Sequence, residues 1–208
     1  MFSKLLSWFG HIKTEKANLR GKSDIFNYYE ENLQSNYLSA VSSSLSAHSD
    51  SEKLRGLERA LSGFPDFVQS CFKTTGDLPP VVPCRDMLPE LYMRYGRWSD
   101  AEKVIRLCIS CGAYGHTEYS DNQDHEGRWI PESGDEELLS LNLRKEAASS
   151  ALSYLAENPG TLQSKIYKIP VLSSVDHDAL VWFCRSSHQI RKEKDGKTNR
   201  LYIAERSI

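Results

Sequence analysis

The chain lacks any apolar run approaching the ~18 residues that cross a bilayer. Its opening, MFSKLLSWFG, has a short apolar stretch and no small-residue cleavage site behind it, so no secretory leader is expected. An excess of one charge is also lacking. Lys and Arg total 26 against 28 Asp and Glu, a net charge of -2 over 208 residues, which argues against wholesale coating of nucleic acid. Five cysteines, spread from Cys71 to Cys184, are an odd number with no dense framework. That usage points to free thiols in a reducing compartment, and hence to a cytoplasmic protein.

Catalytic motifs are missing as well. There is no phosphate-cradling G-x-x-x-x-G-K-[ST], no G-x-S-x-G, no H-E-x-x-H and no dinucleotide fingerprint. His11, His48, His116, His125, His177 and His188 are scattered without paired spacing. Cys184, with Arg185 beside it and His188 one turn on, hints at an activated thiol, but Cys184 adjoins an apolar helix face where a cysteine is normally buried. The expectation is a protein that is not an enzyme, with no cofactor and no small-molecule substrate.

What is present is enough for a core: 39% hydrophobic and 26% charged residues suit one compact domain or two small ones. Residues 1–22 form a distinct opening. Phe2, Leu5, Leu6, Phe9 and Ile12 recur at helical spacing, and Lys4, Lys13, Lys16, Arg20 and Lys22 against Glu15 leave a charge of +4. Such a segment docks on its own protein; the alternative is an anionic membrane surface.

Residues 23–134 read as a helical domain. After the Ser23-Asp24 cap, Ile25, Tyr28, Tyr29, Leu33, Tyr37 and Val41 mark one face of a long helix, broken by the serines of 42–51. Leu54, Leu57 and Leu61 predict a second helix ending at Gly63-Phe64-Pro65. Phe67, Val68, Cys71 and Phe72 predict a short third one. TTGDLPPVVP, Thr74 to Pro83, reads as an extended connector because of its prolines.

From Leu88 to Tyr114, LPELYMRYGRWSDAEKVIRLCISCGAY resembles a single tetratricopeptide-repeat hairpin. Leu88 and Tyr92 lie inward, Gly96 fits the turn, and Trp98, Ala101, Ile105 and Cys108 follow the large-small-large-small order of the second helix. No second copy follows at the family's period, so the resemblance implies one hairpin within a bundle.

The end of that hairpin carries a competing pattern. Cys108, Cys111, His116 and Asp121 have the spacing C-x2-C-x4-H-x4-D, similar to a retroviral-type zinc knuckle except that aspartate replaces the last cysteine. Structural zinc sites favour thiolate and imidazole, and a knuckle needs a turn between the cysteines where the helical pattern continues. Cys108 therefore reads as a helix-packing residue, with the metal site as the minor alternative. The stretch 118–134 is polar, with Trp129 and Ile130 as anchors.

Residues 135–208 form the last module. A long helix runs from Asp135 to Asn158, with Leu138, Leu139, Leu141, Leu143, Ala147, Ala151, Leu152 and Leu155 dense enough to pack on both sides. TLQSKIYKIP predicts a short helix with Leu162, Ile166 and Ile169 inward. SSVDHDALVWFCRSSH predicts another with Val175, Ala179, Leu180 and Phe183 inward. Asp195-Gly196 between the alternating runs Gln189–Lys194 and Lys197–Ala204 predicts a hairpin.

Three helices and a basic hairpin, over Leu143–Ala204, resemble a winged helix-turn-helix. The expected fold class is thus mainly α: a helical N-terminal bundle, then a winged-helix-like module carrying a two-stranded β-hairpin. The resemblance implies either protein association or duplex binding. For duplex binding the wing supplies Arg191, Lys192, Lys194, Lys197 and Arg200 against Glu193 and Asp195, a charge of +3. The motif helix, however, opens with Asp176, His177 and Asp178, and carboxylates repel phosphate where such helices meet base edges. The favoured expectation is a regulatory or interaction protein with a protein partner. The alternative is a nucleic-acid-binding transcriptional regulator that contacts duplex through the wing.

Overall fold

The computed structural model describes residues 36–76, 78, 81–114 and 134–205. The segment 1–22, the early helix positions Ile25 to Leu33, the residues His116 and Asp121, and the anchors Trp129 and Ile130 lie outside the described residues. The fold is mainly helical, with one small antiparallel sheet near the C-terminus. Among the described residues no helix is long and apolar enough to cross a membrane. Those within Met1–Pro89 and Val104–Gly134 make one compact unit, and those within Glu90–Lys103 and Asp135–Ile208 make a second.

In the first unit, helix α1 (36–45) precedes α2 (Asp50–Leu61), α3 (Phe64–Thr75) and the single turn α4 (Pro83–Asp86). Helix α2 starts where it does because Ser49 and Glu52 form a capping box. The Glu52 amide donates to Ser49 Oγ at 3.3 Å and the Ser49 amide to Glu52 Oε2 at 3.4 Å, satisfying two orphan donors. Helices α1 and α2 approach closely at Gly56, where a Cβ would stand 2.6 Å from Ser44 Cβ. Tyr37 and Val41, on the predicted face of α1, are buried, and Tyr37 stacks on Phe67 at 4.3 Å.

Two expectations change here. The third helix is not short but twelve residues long, and the Thr74–Pro83 connector loses both its ends. Thr74 and Thr75 stay helical until Gly76, at φ 78°, reverses the chain. Pro83 opens α4, because a proline at the first helical position loses no hydrogen bond.

Helices α5 (Leu88–Arg94) and α6 (Trp98–Ser110) follow one another through Gly96 at φ 72°. Leu88, Tyr92, Ala101, Ile105 and Cys108 are buried, and Trp98 is half-buried.

In the second unit α7 (Asp135–Glu157) leads through a turn at Gly160 into strand β1 (Thr161–Leu162) and the single turn α8 (Gln163–Ile166). A 3-10 turn (Pro170–Leu172), α9 (His177–Ser186) and strands β2 (Ile190–Asp195) and β3 (Thr198–Ile203) follow. The sheet order is β1-β3-β2, with Lys192 opposite Leu201 and Thr161 also opposite Leu201.

The predicted two-stranded hairpin is therefore a three-stranded sheet. Thr161 and Leu162, expected at the start of a helix, pair with β3 instead, since Gly160 at φ 78° turns the chain and its amide donates to Leu201 O at 2.9 Å. The hairpin turn centres on Gly196-Lys197, one residue later than Asp195-Gly196. Gly196 at φ 58° takes the first central place that a II′-type turn reserves for glycine.

The core of this unit explains the order of elements. Ala147, Ala148, Ala151 and Leu155 give α7 a stripe of mostly small side chains, so α9 can approach with Ala179, Leu180, Phe183 and Cys184. Ile166, Leu172, Ile190 and Leu201 close the cluster from the short elements and the sheet. Leu139, expected inside, is instead 60% exposed.

Candidate functional site

The hairpin cations divide into engaged and free groups. On one face of the hairpin Arg191 pairs with Glu193 at 2.7 Å and stacks over Tyr202, while Arg200 pairs with Asp195 at 2.8 Å. Two guanidinium groups meet two carboxylates, so that face neutralises itself. Lys192 donates to the Arg185 carbonyl at 2.6 Å, at the C-terminal end of α9 where a cation suits the helix dipole. Partial burial lowers its pKa, with the Cys184 thiol opposing. Only Lys194 and Lys197 make no hydrogen bond or ion pair among the described residues.

The helix that a duplex-binding motif would offer is α9. Asp176 is its N-cap: the side chain accepts from the Ala179 amide at 2.8 Å, and Asp178 sits in the first turn. These carboxylates satisfy and stabilise the helix start, a role hidden when they are read only as charges facing phosphate. His177 packs edge-on to Tyr167 with ring centroids 5.7 Å apart.

Further along, the Trp182 ring is met by Trp98 at 6.4 Å and by the Arg144 guanidinium at 4.6 Å. At the end of α9 the connection to β2 is clasped by the α5–α6 turn. The His188 amide donates to Arg94 O at 2.8 Å, Ser187 Oγ donates to the same carbonyl at 3.4 Å, and the His188 ring stacks on Tyr95 at 4.5 Å. A Cβ on Gly96 would stand 2.5 Å from Gln189 Oε1, which measures how closely this turn lies against residue 189. Gly96 was legible as a turn residue, but nothing in its local pattern named this second contact.

Between α7 and the start of α9 lies a groove of about 400 Å³. Leu139, Leu143 and Ala179 form its apolar lining, and Glu136, Asp176 and Asp178 bring carboxylates from both helices. Arg144 also lines it, with its guanidinium over Trp182. Burial lowers the Arg144 pKa, and neighbouring Arg94 acts in the same direction against Glu90. Sequence reasoning missed this groove, because α7 looked apolar enough to be covered on both sides.

Of the five cysteines four are buried and Cys111 is half-buried. Burial pushes the Cys184 thiol up to about 11, with Lys192 and Tyr167 only partly opposing, while His188 stacks on Tyr95. Burial also pushes Cys84 up to about 12 and raises Cys108 and the half-buried Cys111. Cys108 is fully buried on α6, as a packing residue should be. Among the described residues no group of three or more His, Cys, Asp or Glu could hold a metal ion; His116 and Asp121 lie outside them.

Comparison of the chain with protein-family models, with curated proteins and with solved structures gave no match.

Proposed function

We propose that the chain is a non-catalytic interaction or regulatory protein whose C-terminal part is a winged-helix-like module serving protein association. The succession of α7, α8, α9 and a hairpin supports the winged-helix reading, and the α5–α6 pair supports a single repeat-like hairpin. The observation that carries the choice of partner is the clasp on α9. Its tryptophan is covered by Trp98 and Arg144, its far end is held by the Arg94–Trp98 turn, and its near end presents Asp176 and Asp178. Of the helix, His177, Asp178 and Arg185 are left exposed, and the N-terminal turn, the part that would meet base edges in a major groove, is acidic.

A second reading, duplex contact through the wing, is favoured by Lys194 and Lys197 alone. Two phosphate contacts give a log-log salt slope of only about -1.8, too few to hold a duplex at physiological salt. A gel-shift titration of the full chain with random duplex across salt concentrations tests the choice. No binding is expected at about 150 mM salt, near which the Debye length is about 8 Å. Submicromolar binding there, lost on replacing Lys192, Lys194 and Lys197 by alanine and strengthened by Asp176→Asn with Asp178→Asn, would establish the nucleic-acid reading instead.

A further inference from the structure

The α7–α9 groove has the chemistry of a seat for another helix. We infer that it binds an amphipathic helix of a partner protein, one whose apolar stripe is flanked by lysine or arginine. This rests on the protein-association reading above and gives that partner its chemistry.

The apolar part comes from spacing. Leu139 and Leu143 stand four residues apart on α7, one above the other on a single face. Leu139 is 60% exposed, while the small Ala179 side chain keeps the opposing wall low. The lining from Glu136 to Arg144 covers about 12 Å of helix at 1.5 Å per residue, close to two turns of a docked helix. Two helices side by side leave a trough into which the ridge of a third fits, and a helix laid in such a groove reads it through residues at i, i+3, i+4 and i+7.

The charged part selects the partner. Glu136 stands on the α7 wall, and Asp176 and Asp178 on the α9 wall. Three carboxylates against the single Arg144 leave the lining at -2, and the Arg144 guanidinium already lies over Trp182. Asp176 accepts the Ala179 amide, whereas Glu136 and Asp178 make no hydrogen bond or ion pair among the described residues. An acidic helix would meet repulsion from both walls. A basic one would find a carboxylate on either side of its apolar stripe, an arrangement that governs association rate and specificity more than total affinity.

The test is selection of a displayed library of random 16-residue peptides on the full-length protein, followed by fluorescence anisotropy of the winners. The expected winners carry apolar residues at i and i+4 with lysine or arginine beside them, and become helical on binding. Leu139→Ser should weaken them at least tenfold. Glu136→Gln with Asp178→Asn should weaken them at least threefold and flatten their salt dependence, with the circular dichroism of both variants unchanged. Winners that are acidic, or whose binding ignores both variants, would overturn the groove assignment while leaving protein association standing. Duplex binding in the gel-shift titration would overturn the association reading itself, so the two failures are separable.

Discussion

Replacing Gly96 by alanine should loosen the clasp on α9 by a calculable amount. At φ 72° a residue with a Cβ is strained by about 1–2 kcal/mol. The new Cβ would also stand 2.5 Å from Gln189 Oε1 and 2.6 Å from its Cδ, inside contact distance. Because these atoms end a flexible side chain, Gln189 can swing away. Doing so breaks the bond it makes through Nε2 to Ser187 Oγ at 3.3 Å, worth about 1 kcal/mol net.

Gly96→Ala should therefore cost about 2–3 kcal/mol. In a chain already carrying Gln189→Ala, the clash and the lost bond are both gone, and the same substitution should cost only the backbone strain. Urea denaturation of wild type, both single variants and the double variant, followed by tryptophan fluorescence, measures the difference as a double-mutant cycle. The expected coupling is about 1 kcal/mol, with the double variant more stable than the sum of the single losses predicts. Additivity within about 0.3 kcal/mol would mean that the turn does not rest on Gln189, and the covered end of α9 would go with it.

Two further outcomes test the capping and the thiols. Asp176→Ala should lower stability by about 1 kcal/mol in the same denaturation assay through loss of the α9 cap, whereas Asp176→Asn should largely preserve it; equal losses would show that charge, not capping, sets the role of this residue. Cys84 and Cys184 have folded pKa values of about 12 and about 11, raised by burial above the ordinary thiol value. Their contribution is complete below the unfolded thiol pKa, near 8.5, and is lost as pH rises from there toward 11–12, so urea midpoints should fall across that alkaline window. At pH 8 a thiol reagent should modify the half-buried Cys111 first and reach the four buried cysteines only on unfolding; rapid modification of Cys84 or Cys184 in the folded chain would contradict their burial.

The parts of the fold visible in the sequence were those set by local chemistry. Alternation around Asp195-Gly196 marked the hairpin, with the turn displaced by one residue because glycine takes the first central position. The heavy apolar content of α7 marked the helix but not which side faced inward: Ala147, Ala148 and Ala151 pack inside, while Leu139 stands out. Small residues can outrank leucine where two helices must come close. Strand β1 was hidden because two residues carry no period, and their pairing depends on Leu201 and Arg200 some forty residues on. Of the site, the hairpin cations were identified by number, but their engagement by Glu193, Asp195 and the Arg185 carbonyl is a tertiary matter. Asp176 and Asp178 were seen as charges, and the helix they start gives them another purpose.

The clasp between Arg94 and the end of α9 has a consequence for how the chain comes together during synthesis. The Ser187–Arg94 hydrogen bond joins residues 93 positions apart, and closing a flexible loop of that length costs about 4 kcal/mol in chain entropy. One hydrogen bond returns only about 1 kcal/mol, so the clasp becomes favourable when its bonds, the Tyr95–His188 stack and the Trp98–Trp182 contact form together. Residues 90–103 leave the ribosome long before α9 does, and until α9 emerges they have no Trp182 or His188 to meet. A C-terminal fragment beginning at Asp135 would carry the converse defect, with Trp182 keeping Arg144 but losing Trp98, and the α9–β2 connection losing Arg94 and Tyr95. Forming the clasp is therefore a long-range step, one that waits on both of its sequence-distant partners.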